Sequence, residues 1–125
     1  MPSARATRLG LGRRGEALAA RRLEAEGYRI LARNYRSQAG EVDLVAQEGD
    51  CLVFVEVRTR NGDLYGTPEE SVTARKQARL MRVAETYLSE HEILDVDWRI
   101  DVVAIDMAPG GRVRRLDILR NAVSG

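Results

Sequence analysis

Two apolar runs, Glu41-Val42-Asp43-Leu44-Val45-Ala46 and Cys51-Leu52-Val53-Phe54-Val55-Glu56-Val57-Arg58, stand either side of Glu48-Gly49-Asp50. Short runs rich in valine and parted by a glycine-containing turn read as a β-hairpin. A two-residue turn on Gly49-Asp50 puts glycine at the first central position, as a type II′ turn requires. Residue 48 then faces 51, and every opposed pair sums to 99. Burial favours this register, because a one-residue slip would turn the apolar set outward. That set is Val42, Leu44 and Ala46 against Val57, Val55 and Val53.

The same register brings Asp43 opposite Glu56 and Glu41 opposite Arg58. Opposed side chains on one face lie ~5 Å apart at Cβ, where like charges are destabilising. Two carboxylates there call for a positive charge between them, and a divalent ion, Mg²⁺ or Mn²⁺, is the natural candidate. The backbone carbonyl of Val57 is placed to join them as a ligand. The alternative is a longer loop that leaves Asp43 solvated at a sheet edge. Arg58 shares the face of Glu56, where it can steady a phosphate or pair with Glu41, and the two roles are compatible. It cannot serve as a general base, because a guanidinium keeps its proton in proteins.

Charge is unevenly distributed along the 125 residues. Residues 1–36 hold nine arginines and three glutamates, a balance of +6. Residues 37–70 hold eight acids and two arginines, a balance of −6, and the remainder is close to neutral. An acidic centre between basic segments suits a metal site that also holds a polyanion; a solvated surface of scattered charge is the plainer reading. The length fits one domain with a single core. Cys51, the only cysteine, excludes an intramolecular disulfide and fits a reducing, cytoplasmic setting. His91, the only histidine, argues against a His/Cys zinc site. No apolar stretch approaches the ~18 residues of a membrane span, and no apolar segment follows the basic N-terminus as in a signal peptide. There is no glycine-rich phosphate loop and no nucleophile–base pair, which disfavours a small-molecule enzyme.

Residues 1–11 read as a flexible basic arm and 12–125 as a single domain. Residues 12–26 read as a helix ended by Gly27. Gly12, Glu16, Ala19, Ala20, Leu23 and Gly27 fall on one of its faces. Glu16 is a carboxylate in that inward stripe and needs a partner. It either pairs with an arginine or points into the pocket of Asp43 and Glu56. Tyr28 to Tyr35 reads as a first strand, with Asn34-Tyr35-Arg36 leading to a turn. Thr59 to Gly66 reads as a loop beside the carboxylates. Thr67-Pro68-Glu69-Glu70 has the proline and acids of a helix start, and that helix runs to about Ser89. Ala74, Ala78, Met81, Ala84 and Leu88 form its inward stripe. Arg75, Arg79 and Arg82 form a flank that is either solvated or set against phosphates. Lys76, the sole lysine, falls opposite the stripe. Two strands follow, Trp98 to Asp106 and Arg112 to Leu119, joined through Ala108-Pro109-Gly110-Gly111. The order α-β-β-β-α-β-β predicts an α/β fold, a mixed β-sheet flanked by two helices.

The spacing Asp43…Glu56-Val57-Arg58 resembles the Asp…(Asp/Glu)-x-Lys motif of the restriction-endonuclease-like nuclease superfamily. More closely, the chain resembles the YraN family of small bacterial proteins. The matching segments are Gly15-Glu16-Ala17, Glu26-Gly27-Tyr28, Asn34-Tyr35-Arg36, Gly40-Glu41-Val42-Asp43 and Val53 to Arg60. Lys76, Arg99-Ile100-Asp101 and Asn121-Ala122 complete the set. The resemblance implies a restriction-endonuclease-like core and an acidic site of Glu16, Asp43 and Glu56. It also implies a lysine where this chain has Arg58, a departure that bears on turnover more than on phosphate binding. Lys76 matches a family position and is a candidate to compensate.

The expected function is a Mg²⁺- or Mn²⁺-dependent, endonuclease-like phosphodiesterase acting on DNA. Its expected site is Glu16, Asp43, Glu56 and Arg58, with Asp43, Glu56 and Val57 holding the metal. Arg13, Arg14, Arg36, Arg60, Arg75, Lys76 and Arg79 are the expected phosphate contacts. A homodimer would place two sites across a duplex, and no stretch marks its interface. The rivals are a nucleic-acid-binding module impaired in catalysis, suggested by Arg58, and a protein-interaction factor.

Overall fold

The computed structural model describes residues 4–61 and 73–123, with backbone alone at 4–12 and 61. Helix α1 spans Ala4–Ala25, followed by strands β1 (Arg29–Ser37), β2 (Gly40–Glu48) and β3 (Cys51–Asn61). Helix α2 (Ala74–Glu90) leads to β4 (Asp97–Met107) and β5 (Val113–Leu119). The strands form one open sheet in the order β1-β2-β3-β4-β5. The β3–β4 pair is parallel and the other three are antiparallel. A parallel pair needs a long crossover, and α2 supplies it. The expected element order and mixed sheet are both present.

Each helix covers one face of the sheet. Ala19, Ala20 and Leu23 of α1 pack on Leu44, Ala46, Val53, Val55, Val103 and Ile105. Leu80, Val83, Ala84 and Tyr87 of α2 pack on Val42, Val45, Phe54 and Ile100. At the end of α1, Gly27 takes φ +96°, Tyr28 N–H donates to Leu23 O at 2.9 Å and Gly27 N–H to Glu24 O at 3.1 Å. This paired cap needs a left-handed residue, so Gly27 stops the helix as its sequence position foretells. The start of α1 differs from expectation. It reaches back to Ala4, into the stretch read as an arm, where Ala, Arg and Leu outweigh Gly10 and Gly12 in helix propensity.

Helix α2 departs in both start and phase. Thr67 to Glu70, read as its start, lie outside the described residues. The helix begins at Ala74 on the extended Thr73 (φ −69°, ψ 166°), whose hydroxyl accepts from Lys76 N–H. Its buried positions are Leu80, Val83, Ala84 and Tyr87. Ala74 and Ala78 are exposed, so the first half of the expected stripe is wrong, whereas Met81, Ala84 and Leu88 do join the core. Alanines carry too little apolar area to set the phase against leucine, valine and tyrosine. Counting back from Leu80 and Val83 by turns of the helix reaches Lys76 and Arg79, both half-buried. Lys76 therefore lies on the inward stripe rather than opposite it.

The β2–β3 hairpin has the expected register, with Glu48↔Cys51, Gln47↔Leu52, Ala46↔Val53, Val45↔Phe54 and Leu44↔Val55. Gly49 takes φ +59° and Asp50 is not among the residues of positive φ, as a type II′ turn demands. Beyond Leu44↔Val55 the paired ladder ends. The face assignment also changes there. Leu44 belongs to the α1 side of the core, whereas Val42 belongs to the α2 side, contrary to the expected single face. The flip falls at the Asn34/Asp43 step. Asn34 takes φ +54°, far from extended backbone, and Tyr35 and Val42 beyond it both join the α2 core.

A buried polar network fastens the turn end of the hairpin. Asp101, 0% exposed, accepts from Tyr28 OH at 2.8 Å, Arg99 Nε at 2.9 Å and Asn121 N–H at 2.8 Å. Arg99 also donates to Glu48 Oε1 at 2.7 Å, and Arg120 to Glu48 Oε2 at 2.6 Å. Burial and the adjacent Asp101 push the Tyr28 hydroxyl up to about 12. Glu48, the last residue before the turn, is thereby tied to β4 and to the chain beyond β5.

Candidate active site at the β2–β3 fork

In an antiparallel ladder with Glu48 and Cys51 as a hydrogen-bonded pair, every second opposed pair exchanges backbone bonds. Val57 is next in that series after Val55, and its natural acceptor is a carbonyl of β2. It donates instead to Asp43 Oδ2 at 2.7 Å. The Asp43 side chain thus lies in the gap between the strands rather than standing on one face of the sheet. In an extended strand the N–H and C=O of one residue leave by the same edge. The Val57 carbonyl therefore also faces the gap.

Asp43 and Glu56 meet as expected, one position past the last paired residues. Their carboxyl groups lie within hydrogen-bonding reach, and Glu56 is 8% exposed. Burial, then the neighbouring Glu56, push the Asp43 carboxyl up to about 8, while the Val57 N–H pulls the other way. Two carboxylates in one desolvated space cannot both ionise without a counter-charge.

Glu16 joins them from α1. Its carboxyl reaches Asn34 and Asp43, so of the two readings of Glu16 the pocket is the one realised. Burial raises its pKa, Asp43 raises it further, and the Asn34 side chain opposes. Helix α1 comes this close because residue 15 is glycine, since an added Cβ would overlap Thr59 Cγ2. Asn34 is a site residue that the sequence reading passes over as part of a turn. The available signal was the asparagine itself, which is enriched in the left-handed region.

A cavity of about 250 Å³ is lined by Glu16, Glu41, Asp43, Glu56, Val57, Arg58, Thr59 and Arg79. Acidic groups from α1, β2 and β3 thus share it with arginines from β3 and α2. Glu41 does not take the expected partner. It bonds Arg36 at 3.2 Å, its β1 neighbour, because the β2–β3 ladder has ended before residues 41 and 58 can oppose. Among the described residues no three His, Cys, Asp or Glu side chains form a cluster that could hold an ion. A cation here would rest on Asp43, Glu56, the Val57 carbonyl and solvent, a donor set of the kind Mg²⁺ accepts.

The expected phosphate contacts divide. Arg79 lines the cavity, and Lys76 is near enough to feel Arg58, Glu56 and Arg79. Arg36 stands beside it through Glu41. Arg13 and Arg75 are exposed on α1 and α2. Arg14 turns toward Gly111 in the β4–β5 connection. Arg60 is half-buried and faces Asp106 at 4.0 Å.

A family model described as uncharacterised protein family UPF0102 matches residues 15–105, a span that contains the whole fork. The UPF0102 protein of Symbiobacterium thermophilum is 53% identical over 104 residues, covering 83% of this chain and 88% of that protein. The one from Pelotomaculum thermopropionicum is 50% identical over 112 residues, covering 90% and 93%. That of Moorella thermoacetica is 46% identical over 116 residues, covering 93% and 97%. No helix among the described residues is long and apolar enough to cross a membrane.

Proposed function

The chain belongs to the uncharacterised protein family UPF0102, and we propose that it is a DNA-binding protein with a divalent-cation-dependent, endonuclease-like phosphodiesterase site. The observation that carries this reading is the meeting of Asp43 and Glu56 at the fork, where Asp43 is pushed to about 8. The resemblance to the YraN family and to the restriction-endonuclease-like superfamily supports it, as does the run of arginines beside the acids.

In this reading Asp43, Glu56 and the Val57 carbonyl hold the cation. Mg²⁺ or Mn²⁺ bound there would supply Lewis-acid polarisation of a phosphodiester. Glu16, held by Asn34 and raised in pKa by burial and Asp43, orients a water and takes its proton. Arg58 binds a phosphate oxygen and moves no proton. Arg13, Arg36 and Arg75 hold the flanking backbone of the DNA, so affinity falls steeply with salt. The protein acts in the cytoplasm.

A second reading, a binding module without turnover, is favoured by arginine at position 58. The two separate in one experiment. Purified protein, Asp43→Asn and Glu56→Gln are mixed with linear, single-stranded and branched DNA in Mg²⁺ or Mn²⁺. Cleavage by the parent alone supports the nuclease. Salt-sensitive binding without cleavage supports the module, and equal cleavage by all three removes the assigned site.

A further inference from the structure

The basic side of the cavity is built as carefully as the acidic side. Arg58 Nε and Arg79 Nε are both buried, and neither has a hydrogen-bond partner among the described residues. A buried guanidinium N–H without an acceptor is costly, and both arginines line the same cavity. The stem of Arg79 is wedged in place by Gly40, where an added Cβ would lie 3.1 Å from Arg79 Cδ and 3.2 Å from Cγ. Lys76 stands one turn before Arg79 on the same inward stripe. Burial lowers its pKa, and the adjacent Arg58 lowers it further. Two arginines with idle Nε donors, from β3 and α2, thus face one cavity, and Lys76 stands close enough to both to feel their charge.

The geometry points to a phosphate subsite made by Arg58, Lys76 and Arg79, which grips a backbone phosphodiester of a nucleic-acid strand without any divalent cation. It rests on the nucleic-acid reading above and extends it to residues of α2. Two buried Nε–H groups and one ammonium match the several acceptor oxygens of a phosphodiester, and charge-assisted bonds to phosphate are the strong class. A cation between Asp43 and Glu56 and an anion against Arg58 would then sit side by side in one cavity. The strand would be held in register before the cation arrives.

The test uses the full chain, labelled with ¹⁵N in arginine, in EDTA. Thymidylyl-thymidine, which carries one phosphodiester, is titrated in while the arginine Nε–Hε resonances are recorded. Arg58 and Arg79 are assigned by substitution. Movement of both resonances, with affinity about tenfold weaker in Arg79→Gln or Lys76→Gln, is expected, since one charge-assisted bond accounts for about that factor. Arg82→Gln, exposed on the same helix, should leave the affinity unchanged. Stationary Arg58 and Arg79 resonances would overturn the subsite without need of any variant. Equal weakening by Arg82→Gln would reduce it to diffuse attraction. A response to inorganic phosphate but not to the dinucleotide would show a free-anion pocket and refute the strand contact. Because no metal is present, these outcomes are independent of whether the protein cleaves DNA.

Discussion

Val57 donates its backbone N–H to Asp43 Oδ2 at 2.7 Å, so a side chain fills the place that a strand carbonyl holds lower in the hairpin. One carboxylate thus ends the ladder, holds the two strands at the fork and faces Glu56. Its two neutral replacements should behave differently. Asp43→Asn retains an acceptor for Val57 and removes the charge, so the fold persists while divalent-cation binding and cleavage disappear. Asp43→Ala removes the acceptor as well and should be less stable than Asp43→Asn by about 1 kcal/mol or more. Calorimetric titration with Mn²⁺ and urea unfolding read the two effects separately. Undiminished Mn²⁺ binding by Asp43→Asn would refute the cation assignment.

Stability of the cation-free protein should fall as pH rises from about 4 to about 8. Asp43 has an ordinary value of 3.8 and a folded value of about 8. Within that window the native state binds more protons than the unfolded chain, so the stabilisation present below pH 4 is lost as pH climbs through the folded value. Glu16 is shifted in the same direction. The difference from Asp43→Asn should grow across the window to the order of a few kcal/mol. Urea denaturation in EDTA at a series of pH values measures it, and added Mg²⁺ should close the gap. Parallel curves for the two proteins would contradict the prediction.

Gly15→Ala should destabilise the protein, although alanine is the better helix former by ~1 kcal/mol. The new methyl would overlap Thr59 Cγ2, and overpacking of this kind costs about 1–3 kcal/mol. The helix would shift away from β3 and carry Glu16 out of the pocket. Adding Thr59→Ser removes the offending methyl and should restore both melting temperature and cleavage. Failure of that rescue would place the cost elsewhere.

Asp101→Asn should be among the most damaging substitutions outside the fork. It breaks the ion pair between the fully buried Asp101 and the partly exposed Arg99, and breaking a buried pair costs about 3–5 kcal/mol, here toward the lower end. Tyr28→Phe removes one bond to the same carboxylate and should cost about 1 kcal/mol. Equilibrium unfolding in urea compares the two. Similar midpoints for both variants would mean that the network contributes little.

Much of the fold was legible because the hairpin states its own register. A glycine-led turn and alternating valines determine which residues oppose, and Asp43 and Glu56 meet accordingly. What was hidden came from packing across layers. The phase of α2 depended on which apolar residues were large enough to dominate, so alanines misdirected it and concealed Lys76. The flip of Val42 and the role of Asn34 depend on one left-handed residue in β1, which no two-residue periodicity announces. The Arg36–Glu41 pair arises because the ladder stops early, where the Asp43 side chain takes the Val57 N–H.

The turn at Gly49-Asp50 lies about six residues, or roughly 20 Å of strand, from the fork it serves. Surface connections ordinarily accept insertions. This one acts as a ruler: a change of length carried into the pairing would slide Glu56 past Asp43 and turn the buried valines of one strand outward, so the acidic pair and the core stand or fall on the same count.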